Sequence, residues 1–183
     1  MTPGAGPPDV RLRPTRPEDL DFVLALERSA ENTPFIGQWS REEHEAAIAR
    51  PDREHWIIDV SGDAAGYLIA YDLVAAGLDA YVKRIVAAEK SRGVGREALR
   101  AFTRHAFDDL GARAVWLSVF AENVRAQRSY AALGFRLAPL TDDERASRCA
   151  AVGGFSDRSH VLILTAAPGD ATRTGSRAGG IRS

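Results

Sequence analysis

At 183 residues and a formal net charge of -1, the chain has the size of one domain and no global basic field to gather nucleic acid. Its hydrophobic content of 45% supports a core without staples, since a chain of this length hides roughly 70% of its unfolded surface. Its single cysteine, Cys149, excludes an internal disulfide framework and a cysteine-based zinc cluster, and no apolar run approaches the roughly 20 residues of a membrane span.

The ends, residues 1–8 and 168–183, are rich in Gly, Pro, Ser, Thr and Ala and are expected to be disordered tails around a folded unit at 9–167. The start lacks the basic-then-apolar pattern of a secretory signal, which points to a cytoplasmic protein. Residues 9–14, DVRLRP, alternate as a strand does and are cut short by Pro14. TRPEDLDFVLALERSA then carries a threonine cap, a proline and acids before an apolar series, the signals of a helix start. Ser40 with Glu43 forms a capping box for a second helix, which Pro51 stops. HWIIDV and AGYLIAYDLV, joined by SGDA, predict a hairpin, and a third β run covers 78–87. Helix spacing follows in GVGREALRAFTRHAFDDLG, which ends at Gly111. RAVWLSVF predicts a strand, NVRAQRSYAAL a helix between an Asn123 cap and Gly134, and SHVLILTA a final strand. The order β-α-α-β-β-β-α-β-α-β predicts an α+β fold with a mixed sheet.

The stretch EKSRGVGREAL, residues 89–99, is where chemistry enters. A glycine-rich turn opening a helix offers backbone N–H groups and a helix N-terminus to an anion, and glycine permits close approach. Lys90, Arg92 and Arg96 add positive charge. A nucleoside-triphosphate loop needs Lys-Ser/Thr after the second glycine, which is absent. Gly93-Val-Gly95-Arg-Glu-Ala98 satisfies a dinucleotide pattern, but the charged segment 87–92 separates it from its strand, where that motif needs strand and glycine nearly contiguous. Taken alone, the loop reads as a solvated surface turn as readily as a pyrophosphate cradle.

Two motifs in series change that balance. IVAAEKSRGVG resembles the signature V-x-P-x-x-[RQ]-x-x-G-x-[GA] of the GCN5-related N-acetyltransferases, with Ile85, Gly93 and Gly95 in place and two departures, Lys90 at the Arg/Gln position and Ala87 where the family often has proline. VFAENVRAQRSYAALGF is similar to the family's second segment, with Asn123, Tyr130, Gly134 and Phe135 aligned. The resemblance spans roughly 9–166 and is sharp over 83–135.

It implies a mixed sheet flanked by helices, in which two adjacent parallel strands splay to admit acetyl-coenzyme A as co-substrate. Lys83, Arg84 and Ile85 would pair through their backbone with the pantetheine arm. Ser91, Arg92, Gly93, Val94, Gly95 and Arg96 would wrap the pyrophosphate, and Asn123 would bond the pantetheine region. Tyr130 would be the general acid, or an aromatic packed beneath the coenzyme. Family members that acetylate ribosomal-protein N-termini carry a glutamate where this chain has Ser118, and family histone acetyltransferases carry one where it has Asp79. Asp79 is therefore the candidate base, or a polar residue at a strand start; Glu122 and ordered water are the fallbacks. Phe35, Trp39, Glu31, Glu42 and Glu43 fall where the family lines its acceptor pocket, a lining suited to a cationic amine. No two-histidine spacing with a third ligand supports a metal site, and no G-x-S-x-G elbow supports a serine nucleophile. The expected partners are acetyl-coenzyme A and an amine acceptor, without nucleic acid or membrane; a homodimer stays open. Transfer of another acyl group, or a non-catalytic acyl-coenzyme A sensor, are the alternatives.

Overall fold

A computed structural model of the chain describes residues 8–73, 79–90, 92–152 and 161–170. The elements run β1 (Val10–Pro14), a 3-10 turn (Pro17–Asp19), α1 (Leu20–Glu27), α2 (Arg41–Ile48), β2 (Arg53–Val60), β3 (Asp63–Tyr71) and β4 (Asp79–Ala87). They continue through α3 (Val94–Asp108), β5 (Ala114–Phe120), α4 (Val124–Ala131), β6 (Arg136–Leu137), α5 (Asp142–Val152) and β7 (Val161–Ala166). A mixed sheet of seven strands results, in the order β1-β2-β3-β4-β5-β7-β6, with β4 and β5 parallel.

Local chemistry sets most of the boundaries. Ser40 Oγ accepts from Glu43 N at 3.3 Å while the Glu43 carboxylate accepts from Ser40 N at 2.7 Å, closing the capping box of α2. Asn123 Oδ1 accepts from Ala126 N at 3.2 Å to start α4, and Gly134 leaves it at φ 87°, a conformation that favours glycine. Two elements differ from the expected order: β6 and α5 stand between α4 and the last strand. Helix α5 has its own capping box, Thr141 with Glu144, at 3.3 Å and 2.8 Å. The ordered chain also runs past residue 167, where Asp170 Oδ2 accepts from Ala167 N at 2.9 Å. Leu78, residues 159–160 and the tails 1–7 and 171–183 lie outside the described residues.

Helices cover both faces of the sheet. On one face Leu99, Phe102 and Ala106 of α3 pack on Leu68, Ala80, Val82, Val115 and Leu117. On the other, Val23 of α1 meets Ile57, Tyr67, Ile69 and Val86, and Cys149 of α5 joins Tyr81, Trp116 and Ile163.

One irregularity in β4 makes the site. Strand β3 pairs Ile69 with Arg84 but Ala70 with Val82, so Lys83 is an extra residue in β4, a β-bulge. The bulge reverses the strand's alternation: Ala80 and Val82 face α3, yet beyond it Val86 joins the core under α1. The parallel ladder between β4 and β5 stops at the same place, ending with Val82 opposite Leu117. Past it, β4 runs on against β3 and β5 against β7, each paired on its outer side, and the two strands part.

Candidate active site

A cavity of about 1030 Å³ opens where β4 and β5 separate. Tyr81–Ala87 and Leu117–Phe120 form its floor, residues 31–32 and 35–39 one wall, and the glycine loop, the start of α3 and one side of α4 the other. Lys83, Arg84, Ile85, Arg92, Gly93, Val94, Gly95, Arg96, Asn123 and Tyr130 all line it, whereas Ser91 lies outside the described residues.

Asp79 is not brought to this cavity. It pairs with Ala114 at the closed end of the parallel ladder, four residues before the bulge, or about 13 Å at strand rise. Its carboxylate accepts from Arg113 at 3.3 Å and Arg148 at 3.2 Å, which occupies it with two guanidinium groups. Among the expected acceptor-side residues, Glu31, Phe35 and Trp39 line the cavity; Glu42 and Glu43 do not, and Glu43 is spent on capping α2. Glu122 is likewise absent from the lining.

The glycine loop enters α3 through Gly93, whose φ of 80° places the N-cap in the left-handed region. Among the described residues no side chain caps the helix there, so the first N–H groups of α3 point out of its start without an intrahelical acceptor. Around this end stand Arg92, paired with Glu89, and Arg96 and Arg100, both paired with Glu97. Lys90 turns away: its Nζ donates to Ala87 O at 2.8 Å and to Asn32 Oδ1 at 2.6 Å, tying the loop to the opposite wall. Burial lowers the pKa of Lys90, with the charge of Arg125 acting in the same direction.

Tyr130 reaches the cavity from α4, its ring 6.2 Å from Phe135 and packed on the α3-side core. Burial pushes its hydroxyl up to about 12. On β5, Ser118 Oγ lies 3.1 Å from the Tyr81 hydroxyl. Burial draws the Lys83 ammonium down to about 8, assisted by the charges of Arg84 and Arg53.

A buried polar network behind the acceptor-side wall went unread in the sequence. Glu27, the last residue of α1, is 1% exposed. Its Oε1 accepts from the Tyr67 hydroxyl at 2.7 Å and from Arg84, its Oε2 from Trp39 N at 3.0 Å, and His44 Nε2 lies 3.3 Å from Oε1. The chain continues through His44 Nδ1 to His55 Nε2 at 3.0 Å, and from His55 Nδ1 to Thr15 Oγ1 at 2.8 Å. Burial alone would raise the Glu27 carboxyl, but His44, Arg84 and Trp39 hold it down at about 2. Burial also keeps His55 neutral, at about 3, with the His44 ring adding to the shift. The Arg84 guanidinium lies 4.7 Å over the Trp39 ring, so its charge is spent on Glu27 and an indole face.

A profile described as Acetyltransferase (GNAT) domain matches residues 9–136. The fold is similar to spermidine N-acetyltransferase from Vibrio cholerae in complex with CoA and spermine, with a TM-score of 0.71 at 16% identity over 89% of this chain and 98% of that one. It is also similar to aminoglycoside acetyltransferase AAC(6')-Ib in complex with coenzyme A, at 0.69 and 17% over 92% and 100%, and to a domain from Methanocaldococcus jannaschii, at 0.65 and 16% over 87% and 99%. No curated protein matches the chain. With the profile spanning most of the described fold, the parted strands and the glycine-opened helix are those of a GNAT acetyltransferase: the chain belongs to that family, whose co-substrate is acetyl-coenzyme A.

Proposed function

We propose that the protein is an N-acetyltransferase that moves the acetyl group of acetyl-coenzyme A directly to a primary amine. The observation that carries this reading is the inner edge of β4 beyond Lys83, which has no ladder partner among the described residues and shares one cavity with the glycine-opened start of α3 and with Tyr130. The residues fit the coenzyme. Pyrophosphate asks for unbonded N–H groups and positive charge, which Gly93–Arg96, Arg92 and Arg100 offer. The pantetheine arm carries amides along an extended chain and asks for a strand edge, which Lys83, Arg84 and Ile85 offer, with Asn123 beside them. A backbone N–H of this stretch of β4 would hold the developing oxyanion, an interaction commonly worth about 3 kcal/mol of barrier. The names of two fold relatives, for spermidine and for an aminoglycoside, support nitrogen as the acceptor atom.

The chemistry asked of the side chains is small. Attack by the neutral amine forms a C–N bond and breaks C–S; the departing thiolate takes a proton from the Tyr130 hydroxyl, which burial keeps protonated, and the proton the nitrogen sheds on becoming an amide restores that hydroxyl through water. No carboxylate stands among the cavity-lining residues of β4 and β5. With Asp79 and Glu122 outside the lining, the proton of the acceptor ammonium leaves through water in the cleft, which Glu31 and the Ser118–Tyr81 hydroxyl pair border.

Titration of acetyl-coenzyme A followed by thermal unfolding, with thiol release across a panel of amines, tests the reading. Saturation at a hundredfold excess over Kd stabilises a binder by about 2.7 kcal/mol. Absence of any shift refutes it; a shift without thiol release reduces the protein to an acyl-coenzyme A sensor.

A further inference from the structure

The segment 28–40 between α1 and α2 forms the acceptor-side wall without being helix or strand over most of its length. Such a wall needs fastening, because a loop positioned by its own turns moves with them. Two cross-links hold it. One is Asn32, 6% exposed, whose Nδ2 donates to Leu26 O at 2.8 Å and whose Oδ1 takes the Lys90 ammonium. The other is Glu27, and it is the more demanding, because a single carboxylate joins four separate elements.

Its Oε2 takes the backbone N–H of Trp39 and so fixes where the wall ends. Its Oε1 takes Tyr67 from β3 and Arg84 from β4, the residue directly after the bulge. His44 of α2 closes the group from the far side. The groups that face Glu27 are thus Arg84, Tyr67, His44 and the Trp39 amide, with His55 and Thr15 behind His44. Arg84 in turn lies against the Trp39 ring, so the indole is held by its backbone and by its face at once. Through this one side chain Trp39 in the wall is tied to Arg84 in the parted strand.

We propose that Glu27 is a positioning residue for the acceptor. It holds Trp39, and with it Ile36 and Phe35, at the working distance from the bulge where the acyl carbon is delivered. Glu27 itself does not line the cavity and touches neither substrate. The inference rests on the transferase reading above and adds to it a residue that controls acceptor recognition while leaving the coenzyme side alone. The proposed coenzyme contacts run through the main chain of Gly93–Arg96 and of β4, held by α3 and the β3 ladder, so they outlast the loss of a side-chain partner of Arg84.

The test uses Glu27→Gln in the full chain, with steady-state kinetics on the amine that the wild type turns over best and direct titration of coenzyme A. Gln keeps the shape but loses the charge that Arg84 needs, and a buried cation left unpaired is strongly destabilising. Glu27→Asp keeps the charge beside Arg84 but withdraws the carboxylate by one methylene from Trp39 N, and serves where Gln does not fold. A rise in acceptor KM of about tenfold or more, with kcat within about threefold and coenzyme A Kd within about twofold, supports the assignment. An unchanged acceptor KM overturns it, as does a coenzyme Kd that rises in step with KM; that pattern marks a merely structural residue. Failure of both variants to fold overturns it too, placing Glu27 in the folding core. If the wild type binds coenzyme A but transfers to no amine, the transferase reading falls first and this inference with it.

Discussion

Tyr130→Phe removes one oxygen from the cavity and leaves the ring where it is. The ring packs on the α3-side core and Phe135, so its contacts survive. Burial is the only influence found on the hydroxyl's pKa, with no hydrogen-bond partner contributing among the described residues, so its loss strands no buried donor or acceptor. The melting temperature should therefore stay within about 2–4 °C, equivalent to at most about 1 kcal/mol in a chain of this size. Coenzyme A affinity should change by less than about twofold, since the proposed contacts run through the backbone of β4 and the loop. Turnover is another matter: a positioned general acid contributes about 10²–10⁴-fold, or about 3–5 kcal/mol of barrier. Thiol release at saturating amine, beside a coenzyme A titration of the same preparation, separates these quantities. With the hydroxyl at about 12, the wild-type kcat should also show no falling limb from this residue between about pH 6 and 10. A fall in kcat of under about threefold, or a loss of affinity equal to the loss of rate, would refute the acid role and make Tyr130 a packing residue.

Gly66→Ala should cost about 1–3 kcal/mol and weaken coenzyme A, because a Cβ there would sit 2.3 Å from Val86 O and 3.0 Å from Ala87 Cα, pushing the end of β4 that feeds the glycine loop; thermal unfolding and titration read both. Lys90→Met should destabilise by about 1–3 kcal/mol in urea by stranding the buried Asn32 and Ala87 acceptors, while coenzyme affinity falls less than for loss of Arg96. His105, near Glu54 at 3.0 Å and Asp109 at 2.8 Å, has its pKa raised: burial opposes the charge, but the two carboxylates outweigh it. A raised folded pKa stabilises below the unfolded value of about 6.5 and ceases to as pH rises through the folded one, so the stability of wild type over His105→Gln should be greatest below about pH 6 and shrink as pH rises through the raised folded pKa, in paired denaturant curves.

What the sequence made legible was local. Ser40 and Glu43, Asn123 and Ala126, and Gly134 all act within a few residues of themselves, so their spacing states their role. Helix α5 carried the same kind of signal in Thr141 and Glu144 and was readable on those terms. Asp79 was placed by counting back from a glycine, and a count does not say which end of a strand is open. The bulge at Lys83 lies between the two, and the ladder is closed on the Asp79 side of it. Glu27 had no local signal at all: its partners are Trp39, His44, Tyr67 and Arg84, up to 57 residues away, and an acid ending a helix looks like any solvated acid until those segments meet.

The bulge also explains why a cleft persists where a sheet could have closed. Parallel strands gain a ladder bond for each step they stay together, and buried backbone groups left without partners cost about 1–3 kcal/mol each. Beyond Val82 and Leu117 that ladder stops among the described residues, along the inner edges of Arg84–Ala87 and Ser118–Val119. It does so while β4 stays paired with β3 on both sides of the bulge and β5 with β7, so the strands are not frayed but turned. Water satisfies an open edge at little net cost, and an extended ligand bearing its own amides satisfies it equally well while adding burial of its stem. A third strand supplied from outside is therefore the occupant this edge is shaped for. The extra residue at position 83 sets the angle at which that strand lies, and Arg84, directly after it, hands the same geometry through Glu27 to the wall where the amine must arrive.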